Sequence, residues 1–139
     1  IMADGNGTKL AGRANFQDGE YVFAINASAA STHNLEVGDS GKVYFLSNTV
    51  ARTINLPAPA AGVRYKFINT DTTADSSIVA TGALLKGGAE CGDAYLTLAG
   101  TTIVVELAGA VGDWLELISD GTYWYVSGHG THDASFSVT

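Results

Sequence analysis

Apolar and polar positions alternate along much of this chain in short runs, the period of a half-buried strand. The clearest run spans residues 112–128. Two alternating segments flank Asp120-Gly121. Asp-Gly is a favoured two-residue hairpin turn, because both central positions need positive φ. A turn of that length sets Ser119 opposite Thr122, Ile118 opposite Tyr123, Leu117 opposite Trp124 and Leu115 opposite Val126. One face is then Leu115, Leu117, Trp124 and Val126, all apolar. The other is Trp114, Glu116, Ile118, Tyr123 and Tyr125, which is amphipathic. Such a hairpin predicts a core on its first face and a second sheet, a sister subunit or another partner on its second.

Similar runs recur at 42–47, 53–56, 63–69, 78–81, 95–98, 102–107 and 135–138, each ended by Gly, Pro, Asn or Asp. In 63–69, Val63, Tyr65 and Phe67 share one face, and Arg64, Lys66 and Ile68 the other. Pro57 and Pro59 cannot donate to a ladder and end the run before them. No long segment carries the 3.6-residue period of a helix. The expectation is an all-β single domain, an antiparallel β-sandwich or a jelly-roll-like fold. No internal repeat at a fixed period stands out, so a solenoid is not expected. Residues 1–34 read differently: rich in Gly, Ala, Asn and Ser, with one strand-like run at 21–26. They are expected to form an extended N-terminal arm and linker, and 35–139 the β-sandwich domain. An arm strand can add to a sheet edge through main-chain hydrogen bonds.

Composition narrows the function. The 139 residues suffice for a packed core. Charged residues make up only 15%, which points to surface covered in an assembly. The formal net charge of −7, with seven scattered basic residues, argues against a nucleic-acid partner. The apolar runs are too short to span a bilayer as helices, so no membrane association is expected. No basic segment followed by an apolar one opens the chain, so no signal peptide is expected. Cys91 is alone and cannot form an internal disulfide.

Three stretches carry a resemblance: Asp39-Ser40-Gly41-Lys42-Val43-Tyr44-Phe45-Leu46, then residues 54–67 with Leu56-Pro57-Ala58-Pro59-Ala60-Ala61-Gly62, then Ser119-Asp120-Gly121-Thr122-Tyr123-Trp124-Tyr125-Val126. In this order and spacing the chain resembles virion proteins of tailed bacteriophages, both small capsid decoration (cement) proteins and the β-rich heads of tail fibres and spikes. The resemblance spans about residues 35–128. It implies a non-enzymatic structural protein on the outer capsid surface of the virion. The partners implied are the major capsid protein and two sister copies in a homotrimer. The alternative it implies is a tail-fibre or spike head domain that binds a host receptor glycan. Arg13, Phe16, Tyr21 and Phe23 in the arm, with Trp114, Tyr123 and Tyr125 on the hairpin, are the interface candidates.

Little else carries chemistry. His129, His132 and Asp133 are of metal-ligand type, but the pattern reads more simply as a polar Gly-rich loop. Glu106 and Glu116 read as outward strand residues rather than a glycosidase pair. His33 has no evident partner, and Cys91 reads as a buried thiol. No nucleophile elbow or phosphate loop is present. No catalytic residue and no cofactor is expected.

Overall fold

In the computed structural model, residues 22–26, 32–47 and 50–139 are described, the first of these segments as backbone only. The described chain is all-β with one short 3-10 turn at Val37–Asp39. The strands are β1 (Val22–Asn26), β2 (Thr32–Asn34), β3 (Val43–Ser47), β4 (Arg52–Asn55), β5 (Arg64–Asn69) and β6 (Ser76–Val79). They continue with β7 (Leu85–Cys91), β8 (Ala94–Thr97), β9 (Thr102–Val105), β10 (Trp114–Ser119), β11 (Trp124–Gly130) and β12 (Phe136–Val138). One sheet has the order β1-β3-β5-β10-β11-β7-β8 and the other β12-β9-β6-β4-β2.

Both sheets are mixed, which corrects the antiparallel expectation. Pairs β1–β3, β3–β5, β2–β4, β4–β6 and β7–β11 are parallel, and the other five are antiparallel. The reason is connectivity. From β1 to β6 the chain alternates between the sheets, so each strand returns beside its predecessor in the same direction. The opposite sheet supplies the crossover that a helix supplies elsewhere. A jelly roll, built from antiparallel Greek keys, gains no support from this pairing.

The first half of the chain is therefore a flattened coil, and its first two turns repeat. Val22 pairs with Val43 and Thr32 with Thr53, both 21 residues apart. Thr32-His33-Asn34-Leu35 matches Thr53-Ile54-Asn55-Leu56 at the same spacing. Gly41 and Gly62, also 21 apart, both have positive φ, 90° and 84°, at the turn into β3 and β5. Side chains stack along the coil. The Tyr44 and Phe67 rings lie 5.5 Å apart, and Asn55 Nδ2 donates to Asn34 Oδ1 at 2.8 Å. From β3 to β5 the offset grows to 23, with Val43 beside Lys66, an even shift that leaves every side chain on its face. The repeat is faint in the sequence because it is short and because Arg64 and Lys66 stand where the first two turns have apolar residues.

One core lies between the sheets, in a sandwich-like arrangement. Tyr44, Leu46, Tyr65, Phe67, Leu115, Leu117, Trp124 and Val126 come from the larger sheet; Ile54, Ile78, Ile103, Val105 and Phe136 face them from the smaller. Leu56 and Val63 close it at the Pro57–Gly62 connection. Of the segment read as arm and linker, β1 forms the outer strand of the larger sheet and β2 that of the smaller.

Candidate functional site: the outer face of the larger sheet

Alternation along β10 and β11 divides the hairpin as its sequence implies. Leu115, Leu117 and Trp124 are fully buried, and Val126 nearly so. Trp114 is half-buried, while Ile118 (43%) and Tyr125 (46%) are exposed on the opposite face. The register differs from the one expected. Ser119 pairs with Trp124, Ile118 with Tyr125 and Leu117 with Val126, so the loop holds four residues, Asp120–Tyr123. Gly121 has φ 98°, but Asp120 stays at negative φ, so a two-residue turn with both centres left-handed does not form. Instead Asp120 Oδ1 accepts the backbone N–H of Thr122 (2.7 Å) and Tyr123 (2.8 Å). Those two bonds hold its carboxyl below the ordinary aspartate range. The shift of two residues is even, so the face assignment survives.

Pairing across the larger sheet assembles this outer face into rows. One row runs Arg64, Ile118, Tyr125, Lys86. Another runs Phe45, Ile68, Trp114, His129, Glu90, Tyr95. Lys66 Nζ sits 4.9 Å from the centre of the Trp114 ring, and Lys86 Nζ 4.5 Å from that of Tyr123. Such cation–π contacts hold a ring in place while leaving its edge available. His129 Nδ1 lies 3.8 Å from Glu90 Oε1. A hydrogen bond to the Asp120 carboxylate pushes the Tyr125 hydroxyl's pKa up. Among the described aromatic side chains exposed on this face, Tyr95 stands out at 62%. It lies across Gly88, where a Cβ would come within 2.7 Å of its Cε1 and 2.2 Å of the Leu96 carbonyl oxygen. Only glycine lets strand β8 and its tyrosine lie this close.

Of the residues singled out from sequence, Trp114 and Tyr125 share this face in separate rows, and Tyr123 stands at its rim in the loop. Phe23 falls in β1, next to Tyr44 in register. Arg13, Phe16 and Tyr21 lie outside the described residues. Sequence reading missed Tyr95 and Phe45 as members of the face. They are distant in sequence from the hairpin, and only strand order joins them.

The other candidates stay apart. Glu116 lies on the outer face between Lys66 and Ser127, while Glu106 follows β9 of the smaller sheet and accepts the Ser137 hydroxyl. Among the described residues no group of three or more His, Cys, Asp or Glu is placed to hold a metal. His129 faces Glu90, and Asp133 Oδ1 instead accepts the Asp93 N–H at 3.0 Å. Cys91 is buried in the core, which pushes its thiol pKa up. His33 does have a partner: Arg52 Nη1 lies 3.2 Å from its Nε2. Burial, and then the Arg52 charge, lower its pKa. Pairing of β2 with β4 makes this contact, which linear spacing hides.

The end of the molecule opposite the hairpin turn is locked by a buried carboxylate. Asp113 Oδ1 accepts the N–H of Thr131 (2.9 Å) and its hydroxyl (2.8 Å), and Oδ2 accepts the Ala110 N–H (2.8 Å). Burial pushes the Asp113 carboxyl up, but the bonds from Ala110, Ser135 and Thr131 outweigh it and leave the pKa below the ordinary value. This arrangement is structural, fixing the loops that flank Trp114 and His129. No described helix is long and apolar enough to cross a membrane. Comparison with protein-family models, curated proteins and solved structures finds no match to this chain.

Proposed function

We propose that this chain is a structural virion protein of a bacteriophage, a decoration protein on the outer capsid surface that bridges and stabilises capsid subunits. The outer face of the larger sheet is its contact with the major capsid protein, and the chain assembles as a homotrimer. The observation that carries the reading is where the resembling stretches go. Residues 39–46, 54–67 and 119–126 are separate in sequence, yet they supply most of β3 and β5, the last residue of β10 and the first three of β11 in the larger sheet, with the end of β4 in the smaller. Phe45 and Tyr125 are outward side chains of these stretches, and Ile68, Ile118 and Trp114 of the same strands stand on the same face. Aromatic and aliphatic side chains alternate here with Arg64, Lys66, Lys86 and Glu116, the Lys66–Glu116 row running between those of Trp114 and Ile118, a mixture of rings and charges that suits a partly polar protein contact. The function asks for no catalytic group, and no catalytic residue is invoked.

Mixing purified chain with particles of the virus that encodes it, stripped of this protein, tests the reading. Wild type should rebind at a copy number comparable to that of the major capsid protein. Trp114→Ala/Tyr125→Ala should lose most of that occupancy while keeping its fold. Failure of wild type to bind, or full binding by the double variant, contradicts the proposal. A second reading, a fibre or spike head that binds a glycan, draws on the exposed rings of Tyr95 and Tyr125. It predicts a copy number comparable to that of a tail appendage.

A further inference from the structure

Among the described residues the coil ends in two strands whose outer edges are uncovered, at the same end of the molecule. β1 is the last strand of the larger sheet and β2 the last strand of the smaller. No described strand pairs with the outer edge of either. An open edge presents a row of backbone donors and acceptors, and proteins usually blunt it with Lys, Pro or a bulge. Val22-Phe23-Ala24-Ile25-Asn26 and Thr32-His33-Asn34 contain no Lys, Arg, Asp, Glu or Pro. Asn34 continues the argument in its side chain. Its Oδ1 accepts Asn55 Nδ2, while its own Nδ2 has no acceptor among the described residues. A further asparagine or carbonyl stacked on the open side would extend that ladder, as Asn ladders do between stacked strands.

What fits such an end follows from the repeat. The first turn already receives a second turn that nearly copies it: Val on Val, Thr on Thr, Asn on Asn, at a spacing of 21 residues. The surface that the first turn leaves open therefore presents strand edges of the kind this chain itself covers between its turns. We propose that the β1/β2 end of the coil is a self-assembly surface, on which a second copy of this chain adds strands to both sheets. The contact is made by main-chain hydrogen bonds, with the Asn34 carboxamide extending the ladder into the second copy. It lies at the sheet edge and leaves the Trp114 and Tyr125 face available to another partner. The inference does not rest on the capsid contact, and it names the seam for the self-association that the virion reading also requires.

Native mass spectrometry and light scattering of the purified full chain test it, beside hydrogen exchange of the backbone amides. Wild type should be oligomeric at micromolar concentration, with amides of 22–26 and 32–34 protected. Thr32→Lys/Asn34→Lys places two charges on the open edge at exposed positions, so the fold should persist by circular dichroism. It should weaken association at least about tenfold, roughly the effect of losing 1.4 kcal/mol, and should speed exchange at both strands. A monomeric wild type overturns the proposal, including one whose edge amides are protected by its own chain. So does an oligomer that survives the double lysine variant but dissociates in Trp114→Ala/Tyr125→Ala, which would move the self-contact to the sheet face.

Discussion

Asp113 ties two loops together through one buried carboxylate. It is 2% exposed, and its two oxygens receive Ala110 and Thr131. Asp113→Ala strands those donors and should cost about 3 kcal/mol, the range for a buried hydrogen-bonded charge; urea denaturation measures this. The pH dependence has a fixed sign. The folded pKa lies below the ordinary 3.8, so the carboxylate's contribution is complete above that value and is lost as pH falls through the folded one. Stability of the wild type should therefore drop with acidification below about pH 4, and Asp113→Asn should flatten that drop. Thermal melts at stepped pH would show it; an unchanged slope in the variant would contradict the assignment. Gly88 carries a steric prediction. A methyl group there would sit 2.2 Å from the Leu96 carbonyl oxygen, so Gly88→Ala should part β8 from β7 and lower the melting temperature. Tyr65 is a quieter anchor. Its hydroxyl donates to the Glu36 carbonyl at 2.6 Å, and burial, with the Asp39 charge, pushes its pKa up to about 12.

At the scale of elements, the β10–β11 hairpin separates packing from surface. Leu117→Ala should cost about 2–5 kcal/mol because Leu117 is fully buried between the sheets. Trp114→Ala and Tyr125→Ala should each cost far less, since their rings lie on the outer face; chemical denaturation of the three variants orders them. The hairpin also shows what sequence can and cannot specify. Its faces were legible, because alternation has period two and tolerates an even error. Its register was not, because Asp120 uses its carboxylate to cap a four-residue loop instead of adopting positive φ. Strand β7 escaped notice for another reason. Leu85-Lys86-Gly87-Gly88-Ala89-Glu90-Cys91 has few large apolar side chains, and its glycines answer to close neighbours, Val126 and Tyr95, that only the fold supplies. Strands β3, β4, β5, β6, β8, β9 and β12 lie within two residues of their expected positions, because each has its own alternation and its own stop signal.

For the whole molecule, the all-β class followed from the sequence, whereas the mixed sheets depended on connectivity. Parallel pairing joins residues more than twenty positions apart, and no local pattern reports whether a chain turns back or crosses to the other sheet. The 21-residue echo between Thr32-His33-Asn34-Leu35 and Thr53-Ile54-Asn55-Leu56 was present in the sequence and is the signal that would have found the coil. The candidate face was legible through Trp114 and Tyr125 and incomplete without Tyr95 and Phe45, which strand order adds. Among the described residues the architecture leaves two unlike surfaces: the aromatic outer face of the larger sheet and the β1/β2 end of the coil. A bridging protein needs two kinds of contact, one with its lattice and one with its own copies. The virion reading can be tested most directly by quantifying this chain in purified particles by mass spectrometry, relative to the major capsid protein. Comparable copy numbers, with density for the chain on the outer capsid surface, are what a decoration protein predicts. Absence from the particle, or a copy number matching the tail alone, would contradict it.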